Sequence, residues 1–340
     1  MAKNASTPQP VPEAGNQTMV DAESVDEFVH TQTTHKKDED QADINELNED
    51  DKNILRFISN TDKNRFTNIS CFDEILDSKD PEFYVHANTY HSPHGNFIIS
   101  QAPKKNTIGD HLHLIWQYNV RVSVCLEDLL KIGEYFDKRE GGKVTVFMKY
   151  TMKTLKVYDV KQGVTVYQCE LKSYKAQEPM NRRTIYIICA EVPISGIRSA
   201  RVQSVIMEYM WAFEQAEELE NGSGSESMVL VHGLAGTRRC AAFITAAVMC
   251  RQILQTGQFN AMETWIEMRK RRAHTCTRRH DFYSSIYTVF AFAVQCCLVS
   301  ETDPNFGKSM ELIRALLEKK QPHADDEPSE VQEPTGTTEV

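Results

Sequence analysis

The chain reads as one domain of α+β or α/β class between two acidic tails, and three observations predict it. β-branched and aromatic runs of strand length fill residues 96–191, helical periodicity takes over after Pro193, and one strand–loop–helix junction near residue 230 interrupts the helices. The 340 residues are 41% hydrophobic and 25% charged, an ordinary globular composition that excludes collagen-like, wholly disordered and membrane-embedded chains. No internal repeat is visible.

Residues 1–52 hold 13 acids against 4 bases, together with Pro8, Pro10 and Pro12 and few large apolar side chains. Such a segment cannot bury enough apolar surface to offset its ordering entropy, so a disordered acidic tail is expected there. Residues 321–340, with six acids and no base, are expected to be a second one. The overall charge of -10 therefore hides a mildly basic domain, residues 53–320, at +5.

Within the domain the strand-like runs are Asn96-Phe97-Ile98-Ile99-Ser100, Arg121 to Leu126, Val144 to Met148, Val164 to Tyr167 and Thr184 to Ile188. Val202, Val205, Ile206, Tyr209, Met210 and Phe213 then recur at three- and four-residue steps, which predicts a helix. Further helices are expected over 241–254, 260–272, 281–298 and 306–319. The apolar stretch from Ile286 to Val299 is too short to span a bilayer and fits a buried helix, with Cys296 and Cys297 in the core. Nine cysteines, an odd number with no Cys-x-x-Cys pair, read as reduced and mostly buried thiols with no zinc spacing. No charged segment followed by an apolar stretch opens the chain, so a cytoplasmic location is expected.

The junction runs Val229-Leu230-Val231-His232-Gly233-Leu234-Ala235-Gly236-Thr237-Arg238-Arg239-Cys240-Ala241: a buried strand, a compact loop and a helix start. Backbone N–H groups converge at a helix N-terminus, whose dipole favours an anion, and an arginine there can hold a phosphate in bidentate fashion. The segment resembles the signature loop of protein tyrosine phosphatases, Val-His-Cys-x-Ala-Gly-x-Gly-Arg-Ser/Thr. Other resemblances follow in the family's order. Lys63-Asn64-Arg65-Phe66 is similar to its Lys-Asn-Arg-Tyr segment, and Tyr84-Val85-His86-Ala87-Asn88 to its Tyr-Ile-Asn-Ala strand. Ile99-Ser100-Gln101-Ala102-Pro103 with Thr107, Asp110 and Trp116 is similar to its Thr-Gln-Gly/Ala-Pro block, from which His111 and Leu112 depart. Arg269 and Arg272 match the Arg-x-x-Arg end of a late helix. The resemblance implies a central twisted mixed sheet with helices on both sides. It also implies a phosphate-binding loop over Gly233, Leu234, Ala235, Gly236, Thr237, Arg238 and Arg239, with Phe66 flanking a phosphotyrosine ring.

The departures bear on chemistry. The family's cysteine nucleophile falls on Gly233, which has no side chain and cannot form a phosphoenzyme. Its general-acid aspartate falls on Ile194 in Val192-Pro193-Ile194-Ser195-Gly196, with Glu191 the nearest carboxylate, and its two glutamines fall on Thr277 and Asp281. No catalytic residue, cofactor or metal is therefore expected. Cys240, beside Arg239, reads as a small buried side chain away from the centre of the anion cradle. Arg238 stands where the family has glycine, and strains the loop if that position needs a positive φ. Asn68 replaces a recognition aspartate. The basic run Arg269-Lys270-Arg271-Arg272 reads as a solvated helix end and not a nucleic-acid patch, and His232 as a structural histidine beneath the loop.

These residues predict a catalytically inactive relative, a pseudophosphatase that binds or scaffolds a phosphotyrosine-containing signalling protein, with no nucleic-acid partner. A divergent active phosphatase and an interaction scaffold with a closed pocket are the alternatives. Because Arg238, Arg239 and the 269–280 cluster surround the expected pocket, Asp38-Glu39-Asp40 or Asp325-Asp326-Glu327 are expected to compete for its basic mouth.

Overall fold

The computed structural model describes residues 54–73, 83–176, 181–193, 196–221, 227–300 and 302–318. The two expected disordered tails and Ile194 lie outside the described residues.

An eight-stranded mixed sheet in the order β1-β2-β8-β3-β7-β6-β5-β4 forms the centre. Its strands are β1 (Ala87–Ser92), β2 (Gly95–Gln101), β3 (Val122–Cys125), β4 (Thr145–Phe147), β5 (Tyr150–Asp159), β6 (Thr165–Ser173), β7 (Arg182–Cys189) and β8 (Val229–Gly233). The middle four, β2, β8, β3 and β7, run parallel, and the outer pairings are antiparallel. Every residue of β3 and β8 is buried, as expected of parallel strands covered on both faces. The antiparallel β6 instead alternates buried and half-buried positions.

Side chains alternate between two cores. Phe97, Ile99, Val229 and Val231 face α4 (Ile197–Asn221), α5 (Arg238–Thr256), α6 (Ala261–Arg271) and α7 (Arg279–Gln295). Ile98, Leu230, Ile185 and Ile187 face α2 (Ile108–Gln117) and the Tyr135-Phe136 pair that follows α3 (Leu129–Ile132). α8 (Pro304–Glu318) packs on α7 and Ala200 through Ile313 and Leu317. A short α1 (Leu55–Ser59) precedes the sheet.

Five elements have no counterpart in the periodicity: α1, β1, α2, α3 and β5. β5 mixes lysines and threonines with its apolar residues and carries a bulge at Leu155, so it shows no apolar run. α2 sits inside the strand-like region because Gly109, His111 and His113 interrupt its apolar stripe, although His111 is itself buried. The apolar stretch after residue 286 is buried only in part. α7 ends at Gln295, and Cys296 and Cys297 are exposed beyond it, not in the core. The other seven cysteines are buried and free.

Candidate functional site

β8 carries Gly233 to the C-terminal end of the parallel strands, the usual ligand-binding edge of an α/β sheet. Ala102 N–H donates to the Gly233 carbonyl at 2.7 Å and fixes the strand end. The chain then bends through Leu234–Thr237 and enters α5 at Arg238.

The two glycines of the loop differ in kind. Gly236 has φ +64, and a Cβ built on it lies 2.1 Å from the Ser100 carbonyl oxygen, so only glycine fits. Gly233 has no positive φ, and a Cβ built there meets only the Cys240 sulfur, at 3.3 Å. The loop therefore demands glycine at 236 and merely carries it at 233.

Arg238 is not strained. It is the first residue of α5, outside the left-handed region. Its guanidinium makes a bidentate pair with buried Asp281, Nε to Oδ2 at 2.8 Å and Nη2 to Oδ1 at 2.9 Å. Both positions depart from the family pattern, and here they satisfy each other. Arg239 points along the other wall: Nη1 donates to the Val192 carbonyl at 3.0 Å, and Nη2 bonds the buried Glu127 carboxylate. Lys131 bridges Glu127 and Glu191, at 3.5 and 2.6 Å.

Arg272 corrects the expectation of a solvated helix end. It is fully buried, and Nε and Nη2 donate to the Gly236 and Ala235 carbonyls at 3.1 and 3.3 Å. It also meets Asn88 Oδ1 at 2.8 Å, His86 Nδ1 at 2.8 Å and Cys71 Sγ at 3.2 Å. The loop carbonyls are thereby turned away from the cleft. Burial, reinforced by the Arg272 charge, pulls the His86 pKa down to about 3. Burial also pushes the Cys71 thiol up, with Arg272 opposing it.

A cavity of about 780 Å³ opens over the loop. Gly233, Leu234, Ala235, Gly236, Thr237, Arg238 and Arg239 all line it, as do Phe66, Asn68, Glu191 and Thr277. Phe66 is buried, 3% exposed, so it offers little ring surface to a ligand. His232 is fully buried beneath the loop, with Nε2 3.0 Å from the Tyr135 hydroxyl. Cys240 is buried in the first turn of α5, as expected, but it lines the cavity and its sulfur lies 3.3 Å from a Cβ built on Gly233. Burial pushes its pKa up to about 12, so the group is a neutral thiol at pH 7 and a poor nucleophile.

Glu127 and Lys131 have no signal in the sequence. Arg272 falls in the Arg-x-x-Arg motif, which was the available signal. Glu127 follows a buried strand with no motif of its own.

The sequence model described as Protein-tyrosine phosphatase matches residues 60–291. Human tyrosine-protein phosphatase non-receptor type 9 is 21% identical over 260 residues, 71% of this chain and 43% of that protein. Human receptor-type tyrosine-protein phosphatase zeta is 24% identical over 276 residues, 76% of this chain and 11% of its own length. The chain thus spans under half the length of these relatives. The crystal structure of the catalytic domain of human protein tyrosine phosphatase non-receptor type 18 shares the fold, with TM-score 0.57, 19% identity and coverage of 68% of this chain and 84% of that one. No helix among the described residues is long and apolar enough to cross a membrane. With more than half its length matched, the chain belongs to the protein-tyrosine phosphatase family.

Proposed function

We propose that the protein is a non-hydrolysing member of its family that binds a phosphotyrosine-containing protein in this cavity. The observation that carries the reading is Gly233: the floor of the cleft lacks a side chain at the nucleophile's position, although a Cβ nearly fits there. Loss of a nucleophile alone removes several orders of magnitude in rate. The binding elements are supported separately. The first turn of α5 has no side-chain cap, so its amides are available to an anion. Arg239 commits two of its five N–H donors to Val192 and Glu127 and retains the others. Removing a thiolate also removes a charge that repels phosphate.

The test is a titration with a phosphotyrosine peptide, beside its unphosphorylated twin. Saturable binding of the phosphopeptide alone is expected, weakened about tenfold by Arg239→Lys, which keeps the charge but not the planar fork. Equal binding of both peptides overturns the reading. Hydrolysis of an aryl phosphate that is lost in Cys240→Ser would favour the divergent enzyme instead, with the thiol under Gly233 as its nucleophile.

A further inference from the structure

Five cations, Lys131, Arg198, Arg238, Arg239 and Arg278, line the cavity, and part of that charge is already neutralised. Arg238 and Arg239 are paired with Asp281 and Glu127, and Arg272 is buried. A second basic region, residues 138–175, forms β4, β5 and β6 and holds nine lysines or arginines against three acids; Lys138, Arg139 and Lys161 pair with Glu134, Asp137 and Glu208, which lie outside it. This region also has the largest apolar exposure near an open edge: Val144, Val146 and Met148 are 50%, 62% and 75% exposed.

β4 is the last strand of the sheet among the described residues. The Phe147↔Tyr150 pairing closes a two-residue turn, and ladder alternation then turns the Val146 N–H and C=O away from β5. An open edge with exposed apolar side chains is a template for an added strand. Lys143, two residues before the strand, is exposed.

We propose that the chain's own acidic N-terminal segment, centred on residues 19–29, docks along the outer edge of β4. Three features select this occupant. First, Met19-Val20-Asp21-Ala22-Glu23-Ser24-Val25-Asp26-Glu27-Phe28-Val29 interleaves four acids with β-branched and aromatic residues and has no base, matching both the charge and the apolar exposure of the edge. Second, the first described residues lie within reach of it: Arg56 bonds the Phe83 carbonyl, Phe83 meets the His113 ring edge-on, and His113 Nδ1 lies 2.6 Å from the Tyr150 hydroxyl of β5. Lys63 pairs with Asp110 at 3.1 Å, and Met148 packs on the neighbouring Gly109, its sulfur 2.4 Å from a Cβ built there. The 24 residues between 29 and 54 span about 27 Å as a flexible chain, which places the segment at an effective concentration on the order of millimolar. Third, the C-terminal acids start elsewhere. Leu317 carbonyl accepts from His280 at the start of α7, on the face of the sheet opposite α2, and residues 321–340 carry Pro322, Pro328 and Pro334, which oppose strand pairing.

The test places a photoreactive benzophenone side chain at Val146 of the full chain, with a second probe at exposed Leu254 as control, and maps the crosslinked peptides by mass spectrometry. Intrachain crosslinks from Val146 to residues 1–52, absent from Leu254 and independent of protein concentration, are expected. Their yield should fall about tenfold on Asp21→Lys, Glu23→Lys, Asp26→Lys and Glu27→Lys together, and should fall in high salt. Crosslinks to residues 321–340, to a second copy, or none above the control overturn the proposal. So does a yield unchanged by the four reversals.

Discussion

Two departures from the family pattern, at Arg238 and Asp281, neutralise each other. Arg238 and Asp281, 43 positions apart, form a bidentate ion pair in which Asp281 is almost fully buried. Removing one partner of such a pair leaves an uncompensated charge, so Asp281→Ala is expected to cost about 3–5 kcal/mol in urea unfolding. In an Arg238→Ala background the same change should cost far less; additive losses would sink the pairing argument. His111 presents the opposite case. Neither ring nitrogen has a partner, and burial, with the His232 charge adding to it, holds its pKa well below the ordinary value. The unfolded chain therefore takes up the proton first. Stability is expected to fall as pH drops below about 6.5, the unfolded-state value, with His86 adding to the loss down to its folded value of about 3. His111→Phe is expected to gain about 1–3 kcal/mol at pH 7 and to shrink the acid loss, read from thermal melts between pH 7 and 5. A less stable variant with an unchanged pH profile would show that the ring is satisfied.

At the scale of elements, the strand–loop–helix unit is set by backbone geometry at one point. Gly236 has no room for a Cβ against the Ser100 carbonyl, whereas Gly233 meets only a side-chain sulfur. Gly236→Ala is thus expected to destabilise by more than about 2 kcal/mol, and Gly233→Ala by less than about 1.5 kcal/mol. Equal melting shifts for the two would refute the distinction. Legibility in the sequence varied for the same kind of reason. β2, β3 and β7 announce themselves because buried strands need unbroken β-branched runs. β5 does not, because its later residues are exposed and the buried Thr151 and Thr154 break its apolar pattern. Cys296 and Cys297 look like core by hydrophobicity alone, and only the end of α7 at Gln295 places them outside.

At the scale of the molecule, Arg272 joins segments that lie far apart in the chain. One guanidinium reaches residues 71, 86, 88, 235 and 236 from the end of α6. Lysine supplies one ammonium and no planar fork, so Arg272→Lys is expected to destabilise by about 3–5 kcal/mol and to loosen the loop, seen as faster amide exchange over residues 234–237. Exchange there unchanged, with only a global loss of stability, would mean that Arg272 supports the domain but not the loop.

The sequence by itself determined the family, the order of the major strands and helices, and the missing side chain at Gly233, because each rests on residue identity or local periodicity. It also located the loop residues that come to line one cavity. The tertiary structure alone decided where charge is available. Arg238 and Arg239 count as cations in the sequence, yet each faces a buried carboxylate from a distant segment, and Lys161, in a basic stretch, pairs with Glu208 of α4. Charge adds up along a chain, but its neutralisation depends on distance in space, and that distance exists only once the chain is folded.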